Sequence, residues 1–543
     1  MDEKQLAALL HRIEQRADKE DYRRVEQLAA SYAYLTELVA DKDTTIESLR
    51  KLLRPKSEKT SAVLGDQAGT SPSADEGETN ASGDEPAGDD EDEPPAKPAK
   101  PRKPGHGRNG VDKFPGAKRV AVPHDSLTSG DRCPECGRGK VYSSPPRVLL
   151  RFTGQTPLQA TIYELDRLRC GLCGASFVAS EPAEAGGPKY DAQAISMIGL
   201  LKYGLGMPFN RFARLQRSMG IPLPPSTQWD LVRQLWQDAT PVHHELIRQA
   251  AQADVLYVED TAVRILEAME PNARAKLFAE EPDLARRKGL FTSGVVAVVE
   301  ARQIALFYSG ARHAGENMRE LLRQRSEELS APIQMSDGLS RNSQSEFDTL
   351  MANCLTHGRR KFVDCHPHFP DQCRVVILSL KSVYKNDAAA KGMSDVDRLA
   401  FHQRESGPVM AELHDWLSRQ LSERKTEENS ALGGAIKYML KRWPELTLFL
   451  REPGAPLDNN ICERALKRII IHRKNSLFFK TLNGASAGDC LMSLIYTCEL
   501  NNVAPFDYLT AIQLNSKAAE QAPHQWLPWN YQATQSSQTP NAA

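Results

Sequence analysis

Residues 56–105 break this chain of 543 residues, because a stretch of Ser, Ala, Gly, Pro and acids with almost no large apolar side chain cannot bury enough surface to offset the entropy of ordering it. A single continuous globule is therefore excluded, and a disordered charged linker is expected there. At roughly 150 residues per domain the length allows about three to four folding units, ample to bury a core. The linker also hides the charge of the rest. The chain has 69 Lys and Arg against 70 Asp and Glu, a formal −1, but ten of the acids, from Asp75 to Glu93, stand together without a base. Setting those ten aside leaves 69 bases against 60 acids, a net +9. Such a body suits a polyanionic partner, and equally a solvated surface rich in Lys and Arg.

The first residues, Met1 to Gln5, lack the basic flank and apolar centre of a signal peptide, and no run of about 18 apolar residues occurs. A cytoplasmic protein without a membrane partner is expected. From Val25 a heptad runs through Tyr32, Val39, Ile46 and Leu53 at one core position and Leu28, Leu35, Lys42 and Leu49 at the other. Side chains repeating roughly every 3.5 residues bury their seam only against another helix. Residues 1–55 thus read as a coiled coil that makes the chain a homo-oligomer, or as an amphipathic helix folded back on the body.

Ten cysteines are too few for a disulfide scaffold in so long a chain, and four of them form two CxxC pairs, Cys133 with Cys136 and Cys170 with Cys173, 33 residues apart. Between them, 147–152 and 159–165 read as strands. Two knuckles joined by a small sheet place four thiolates around one structural Zn²⁺, a zinc ribbon over 106–185. Four thiolates close the shell and leave no position for a reactive water.

Residues 186–252 turn helical. Ile195 to Leu205 mark one helix, Phe209 to Met219 a second, and Ser226-Thr227 offers the N-cap of a third through Leu235. A helix, a turn and a capped helix suit either DNA reading or plain packing. Strands follow at 255–258, 294–299 and 304–308, then a helix at 318–329 and a strand at 333–335. Acids stand at the ends of two of these strands, Glu259-Asp260 and Asp337. Carboxylates so placed can share divalent cations, or they form turns, which Asp337-Gly338 also suits.

Two later segments are densely basic. Cys354 to Phe362 contains His357, Arg359, Arg360 and Lys361; Pro456 to Asn475 contains Glu463 among Arg464, Lys467, Arg468, Arg473 and Lys474, with Asp458 or Asn459 as a helix cap. One acid among so many bases reads as a salt-bridged face or as a metal ligand amid phosphate contacts.

These blocks, in this order, resemble the insertion-sequence transposases of the IS sixty-six family. The matching segments are the heptads, Lys103-Pro104-Gly105-His106-Gly107-Arg108, the paired CxxC, Glu259-Asp260-Thr261, Ser336-Asp337-Gly338, His357-Gly358-Arg359-Arg360-Lys361-Phe362, Asp458-Asn459-Asn460 running into Glu463-Arg464-Ala465-Leu466, and the terminal Trp526-Leu527-Pro528-Trp529-Asn530-Tyr531. The resemblance implies a multidomain α+β protein with a ribonuclease H-like α/β catalytic domain over 253–485, holding a helical insertion at about 372–450, and a C-terminal helical element over 486–543. It implies an Asp, Asp, Glu triad on Asp260, Asp337 and Glu463. Members commonly carry Asp first in the acidic pair, whereas this chain has Glu259 there; either acid fits, and Asp260 is preferred.

The implied chemistry is cleavage and transfer of DNA strands, with two Mg²⁺ or Mn²⁺ ions about 3.5–4 Å apart across the scissile phosphate. Arg359, Arg360, Lys361, Arg464, Lys467, Arg468, Arg473 and Lys474 are the expected phosphate contacts. The implied partners are double-stranded DNA at the element ends and target, and accessory proteins of the same element, in the bacterial cytoplasm on the nucleoid. A non-catalytic zinc-ribbon DNA-binding protein or repressor is the alternative. His357 and His472 read as packed or hydrogen-bonded residues.

Overall fold

The computed structural model describes residues 60–64, 157–169, 176–180 and 187–538 except 343–345, with isolated positions elsewhere, Val25 among them. The rest of the heptad segment, most of the linker and the four CxxC cysteines lie outside the described residues. The chain divides into two compact units, Met1–Thr70 with Leu158–Ala543, and Ser71–Pro157. In the second, a turn in which Asp131 accepts from the backbone and hydroxyl of Thr128 precedes a bridge between Arg132 and Lys140.

The first unit is built on a mixed five-stranded sheet. Its strands are β3 (Val255–Ala262), β4 (Phe291–Val299), β5 (Arg302–Gly310), β6 (Ile333–Ser336) and β7 (Leu350–Asn353), in spatial order β5-β4-β3-β6-β7. β3, β4 and β5 form an antiparallel meander, while β6 and β7 run parallel to β3. A parallel return needs a crossover, and α4 (Ala314–Leu322) supplies it between β5 and β6. Val295, Val296, Ala297, Ile304, Ala305 and Leu306 are fully buried, which explains why these strands read as apolar runs without alternation. Apart from this sheet, β1 (Arg167–Arg169) and β2 (Ser176–Val178) form a small antiparallel pair. The strand expected at 159–165 is irregular and largely exposed; pairing begins only at Arg167.

Before the sheet come α1 (Ala192–Gly199), α2 (Phe209–Ser218) and α3 (Pro225–Ala250). Helix α3 starts at Pro225 with Pro224 as its cap residue, so Ser226 and Thr227 lie inside its first turn instead of capping it. Proline suits that first position because its missing N–H has no helical partner anyway. After β7 come α5 (Leu355–Cys365), α6 (Pro370–Ala389), α7 (Asp395–Glu405), α8 (Gly407–Ser422) and α9 (Ala431–Lys441), then α10 (Asn460–Ser476), α11 (Leu482–Leu500) and α12 (Pro505–Leu514).

Two hydrophobic clusters result. One runs from Ile195 through α3, the sheet and α10–α12 to Trp526 and Tyr531. The other joins Ile333, Met335 and Ala352 to helices α5–α9. Each fully buried Leu or Phe contributes roughly 1.5–3 kcal/mol. The second cluster also receives Leu64 and Val63 from a short helix, Thr60–Leu64. Within the segment read as linker, these two apolar side chains thus find a core.

Strand β5 is an edge, and its free N–H groups are covered by side chains from α11. Ser309, Phe307, Ala305 and Gln303 donate in turn to Asp489, Ser493, Thr497 and Asn501, at 2.6, 3.0, 3.0 and 3.3 Å. Every second strand residue meets every fourth helix residue, so one helix face seals the edge against pairing with another chain. Helix α11 thus belongs physically to the sheet.

Candidate active site

Successive strand residues point to opposite faces, so Glu259 and Asp260 cannot serve the same site. β3 and β6 run parallel with Tyr257 opposite Met335, which brings Glu259 level with Asp337, the residue just beyond β6. Across the other edge Glu259 is opposite Gly294. That glycine lies under α10: a Cβ on it would stand 2.9 Å from Cδ2 of Leu466, and its carbonyl accepts from Sγ of Cys462. Glu259 therefore faces α10, whose first turn carries Glu463.

The electrostatics agree. The Glu259 carboxyl is pushed up to about 8, first by burial and then by the charges of Glu463 and Asp337, with Arg360 and a hydrogen bond from Asn459 opposing. Nδ2 of Asn459 lies 3.1 Å from both Oε2 of Glu259 and the carbonyl of Val258. Asn459 makes no side-chain cap bond, although the sequence offers it as a cap; it orients Glu259 instead.

Asp337 is held as a turn former. Its Oδ1 accepts from the Leu339 amide at 2.9 Å and Nδ2 of Asn342 at 2.7 Å. Gly338 follows with φ +77°, a left-handed value, and a Cβ there would meet Nε of Arg442 at 2.8 Å. The inserted helices clamp this turn: Oη of Tyr438 donates to the Asp337 carbonyl at 3.0 Å and Arg442 to that of Gly338.

Asp260, preferred from sequence as the first ligand, points to the face away from Glu259. Its side chain is 0 % exposed on the opposite face. It accepts from Oγ of Ser293 at 2.7 Å and from the Ala314 amide at 3.1 Å, and lies 3.1 Å from Nδ1 of His313. Its lone pairs are thus occupied at the start of α4, where a helix terminus favours negative charge.

Beside Glu463 stand two residues the sequence did not assign. Ligand atoms of Cys354, His357 and Glu463 all lie within 4.8 Å of one another. Nε2 of His357 is 3.8 Å from Oε1 of Glu463, and the Asn459 amide donates to Sγ of Cys354 at 3.3 Å. Burial pushes the Cys354 thiol up to about 12.

The basic residues divide. Lys361, Arg464, Lys467 and Lys474 are exposed. Arg359 is buried and donates to Oγ1 of Thr60, Arg468 pairs with Glu499, and Arg473 bonds Thr261 and the carbonyl of Ala262. These three are engaged by the protein itself. His472 is packed, as expected: it stacks between Tyr203 and Phe479, and burial holds it down at about 3. A cleft of about 490 Å³ opens beside Tyr257, Asp458 and Arg464.

Among known proteins, the family model described as Transposase IS66 family matches residues 189–487. Three relatives come from Sinorhizobium fredii. Uncharacterized protein y4jD is 28% identical over 394 residues, 68% of this chain and 72% of its own. Uncharacterized protein y4hP is 26% identical over 325 residues, 57% of this chain and 56% of its own, and uncharacterized protein y4qI 30% identical over 186 residues, 33% and 34%. The family match takes in more than half of the chain, including every strand of the sheet with Glu259, Asp337 and Glu463, and the chain accordingly belongs to the transposase IS66 family.

Proposed function

We propose that this chain is a DNA transposase that cuts and rejoins strands at the ends of an insertion sequence, with Glu259, Asp337 and Glu463 as the acidic triad of a ribonuclease H-like domain. The observation that carries the reading is the place of Glu259, opposite Gly294 under α10 and level with Asp337, with Glu463 in the first turn of α10. Family membership supports a transposase-like function. The fold reading is supported by the antiparallel meander followed, after a helical crossover, by two parallel strands.

The donor set fits a hard divalent cation: the three carboxyls offer oxygen ligands, and the Glu259 carboxyl is pushed up first by burial and then by the charges of Glu463 and Asp337. Bound there, Mg²⁺ or Mn²⁺ supplies charge neutralisation at the scissile phosphate and a more acidic attacking hydroxyl. Glu259 and Asp337 hold their places through the sheet, and Glu463 completes the set from α10. Asn459 aims Glu259, and Arg360 offsets part of the negative charge. Lys361, Arg464, Lys467 and Lys474 neutralise backbone phosphates irrespective of sequence, so affinity falls steeply with salt.

The remaining parts of the reading rest on the sequence. They are one structural Zn²⁺ on Cys133, Cys136, Cys170 and Cys173, association through residues 1–55, element-end contacts from 106–252, and action in the bacterial cytoplasm with accessory proteins of the same element. Among the described residues no helix is long and apolar enough to cross a membrane. A non-catalytic DNA-binding protein or repressor is the second reading, favoured by Glu259 where members commonly carry Asp.

The test incubates the chain and its Glu463→Gln variant with Mg²⁺ and DNA carrying the element's inverted ends. The chain is expected to nick or join that DNA, and the variant to bind without cutting. Undiminished cutting by the variant overturns the triad; binding without cutting by both favours the second reading.

A further inference from the structure

We propose that Cys354, His357 and Glu463 form a second cation site, selective for a soft divalent ion such as Zn²⁺, which takes Glu463 away from the carboxylate triad and so makes zinc an antagonist of the Mg²⁺-dependent reaction. The antagonism rests on the catalytic reading above; the site itself does not.

Cys354 is the residue before α5 and His357 lies in its first turn, three positions on, so both present their side chains on one flank of the helix. That flank meets the first turn of α10, where Glu463 stands. The three ligand atoms lie within 4.8 Å of one another, and the imidazole and carboxylate are already 3.8 Å apart. Ligands about 2.0–2.3 Å from a tetrahedral ion sit roughly 3.3–3.8 Å from each other, so modest side-chain rotation closes the site.

The chemistry of the set separates it from the triad. Sulfur, imidazole nitrogen and one carboxylate suit zinc, cobalt or cadmium, whereas magnesium keeps to oxygen. A second observation points the same way: Oε1 of Glu463 is buried, and among the described residues nothing donates a hydrogen bond to it. A buried carboxylate oxygen without a donor is costly unless a cation comes to it. Binding releases the Cys354 thiol proton to solvent and leaves the sulfur as thiolate; three protein ligands leave a fourth position for water. Glu463 cannot then complete the neighbouring set of hard ligands.

The test uses the full chain with Co²⁺ as the spectroscopic probe, comparing it with Cys354→Ser and, since Cys354 is fully buried, with His357→Gln on the half-exposed side of α5. The four CxxC cysteines are common to all three proteins and cancel in the difference. The expected result is an additional thiolate-to-cobalt absorption in the difference spectrum of the full chain minus Cys354→Ser. Within each protein, Zn²⁺ is titrated against Mg²⁺-dependent cleavage, and the half-inhibiting concentration is expected to rise roughly tenfold or more in both variants. Superimposable cobalt spectra, or equal zinc sensitivities, from folded proteins overturn the proposal. A cobalt difference without any Mg²⁺-dependent cleavage overturns the catalytic reading and supports the soft-cation site; cleavage with superimposable spectra does the reverse.

Discussion

The two faces of strand β3 treat an acid in opposite ways. On the α4 face Asp260 is fully buried with donors from Ser293 and Ala314 and His313 beside it. On the α10 face Glu259 accepts from Asn459 and has two further acids pressing on it. A saturated carboxylate stabilises the native state, whereas crowded carboxyls raise its energy until a cation arrives. Under the proposed function, neighbouring residues of one strand divide stability and chemistry between them.

The contrast breaks most visibly at Asp337. Asp337→Asn is expected to lower Mg²⁺-dependent strand cleavage roughly a hundredfold or more, since even the outer partners of a metal ligand cost about 10–100-fold when removed; a gel assay on end-bearing DNA reads this, and retained cleavage ends the assignment.

A paired substitution sharpens it further. Asp260→Asn should cost about 1.5–3 kcal/mol in urea unfolding, through lost hydrogen bonds to a charged group, while Glu259→Gln should leave stability equal or higher and remove cleavage. Should Asp260→Asn prove harmless to folding yet fatal to cleavage, the two faces have been assigned the wrong way round.

The smallest effect concerns Asp489, a buried acid of the edge-sealing helix, which burial pushes up to about 7 against the opposing donors of Ser309. A folded value above the ordinary one near 3.8 means that its contribution is full below about pH 4 and is lost as pH rises through 7. The stability of the native chain relative to Asp489→Asn should therefore fall between about pH 4 and 7. A pH-independent difference in urea midpoint would show that Asp489 keeps its charge in the fold.

Much of this was legible in the residues. The β-branched runs at β3, β4 and β5 announced the sheet, and the helical insertion and the acids at strand ends were visible beforehand. Strand β7 was not, because Leu350-Met351-Ala352-Asn353 has no β-branched residue and exists by pairing with β6. The choice between Glu259 and Asp260 was hidden for a different reason. Val255 and Tyr257 share the parity of Glu259, Leu256 and Val258 that of Asp260, so both faces of β3 read as apolar and alternation gives no answer. What decides is Gly294, whose missing side chain admits α10 to one face. The heptads and the four CxxC cysteines lie outside the described residues, and their reading stands as the sequence left it.

The rungs between α11 and β5 behave as a vernier. Four residues of helix advance about 6.0 Å, two residues of strand about 6.4–6.8 Å. The two scales slip by about half an ångström per rung, and four acceptors of different length, Asp489, Ser493, Thr497 and Asn501, still reach the strand at 2.6, 3.0, 3.0 and 3.3 Å. One residue inserted between Asp489 and Asn501 would turn everything beyond it by about 100° and strip the strand of its cover at a stroke.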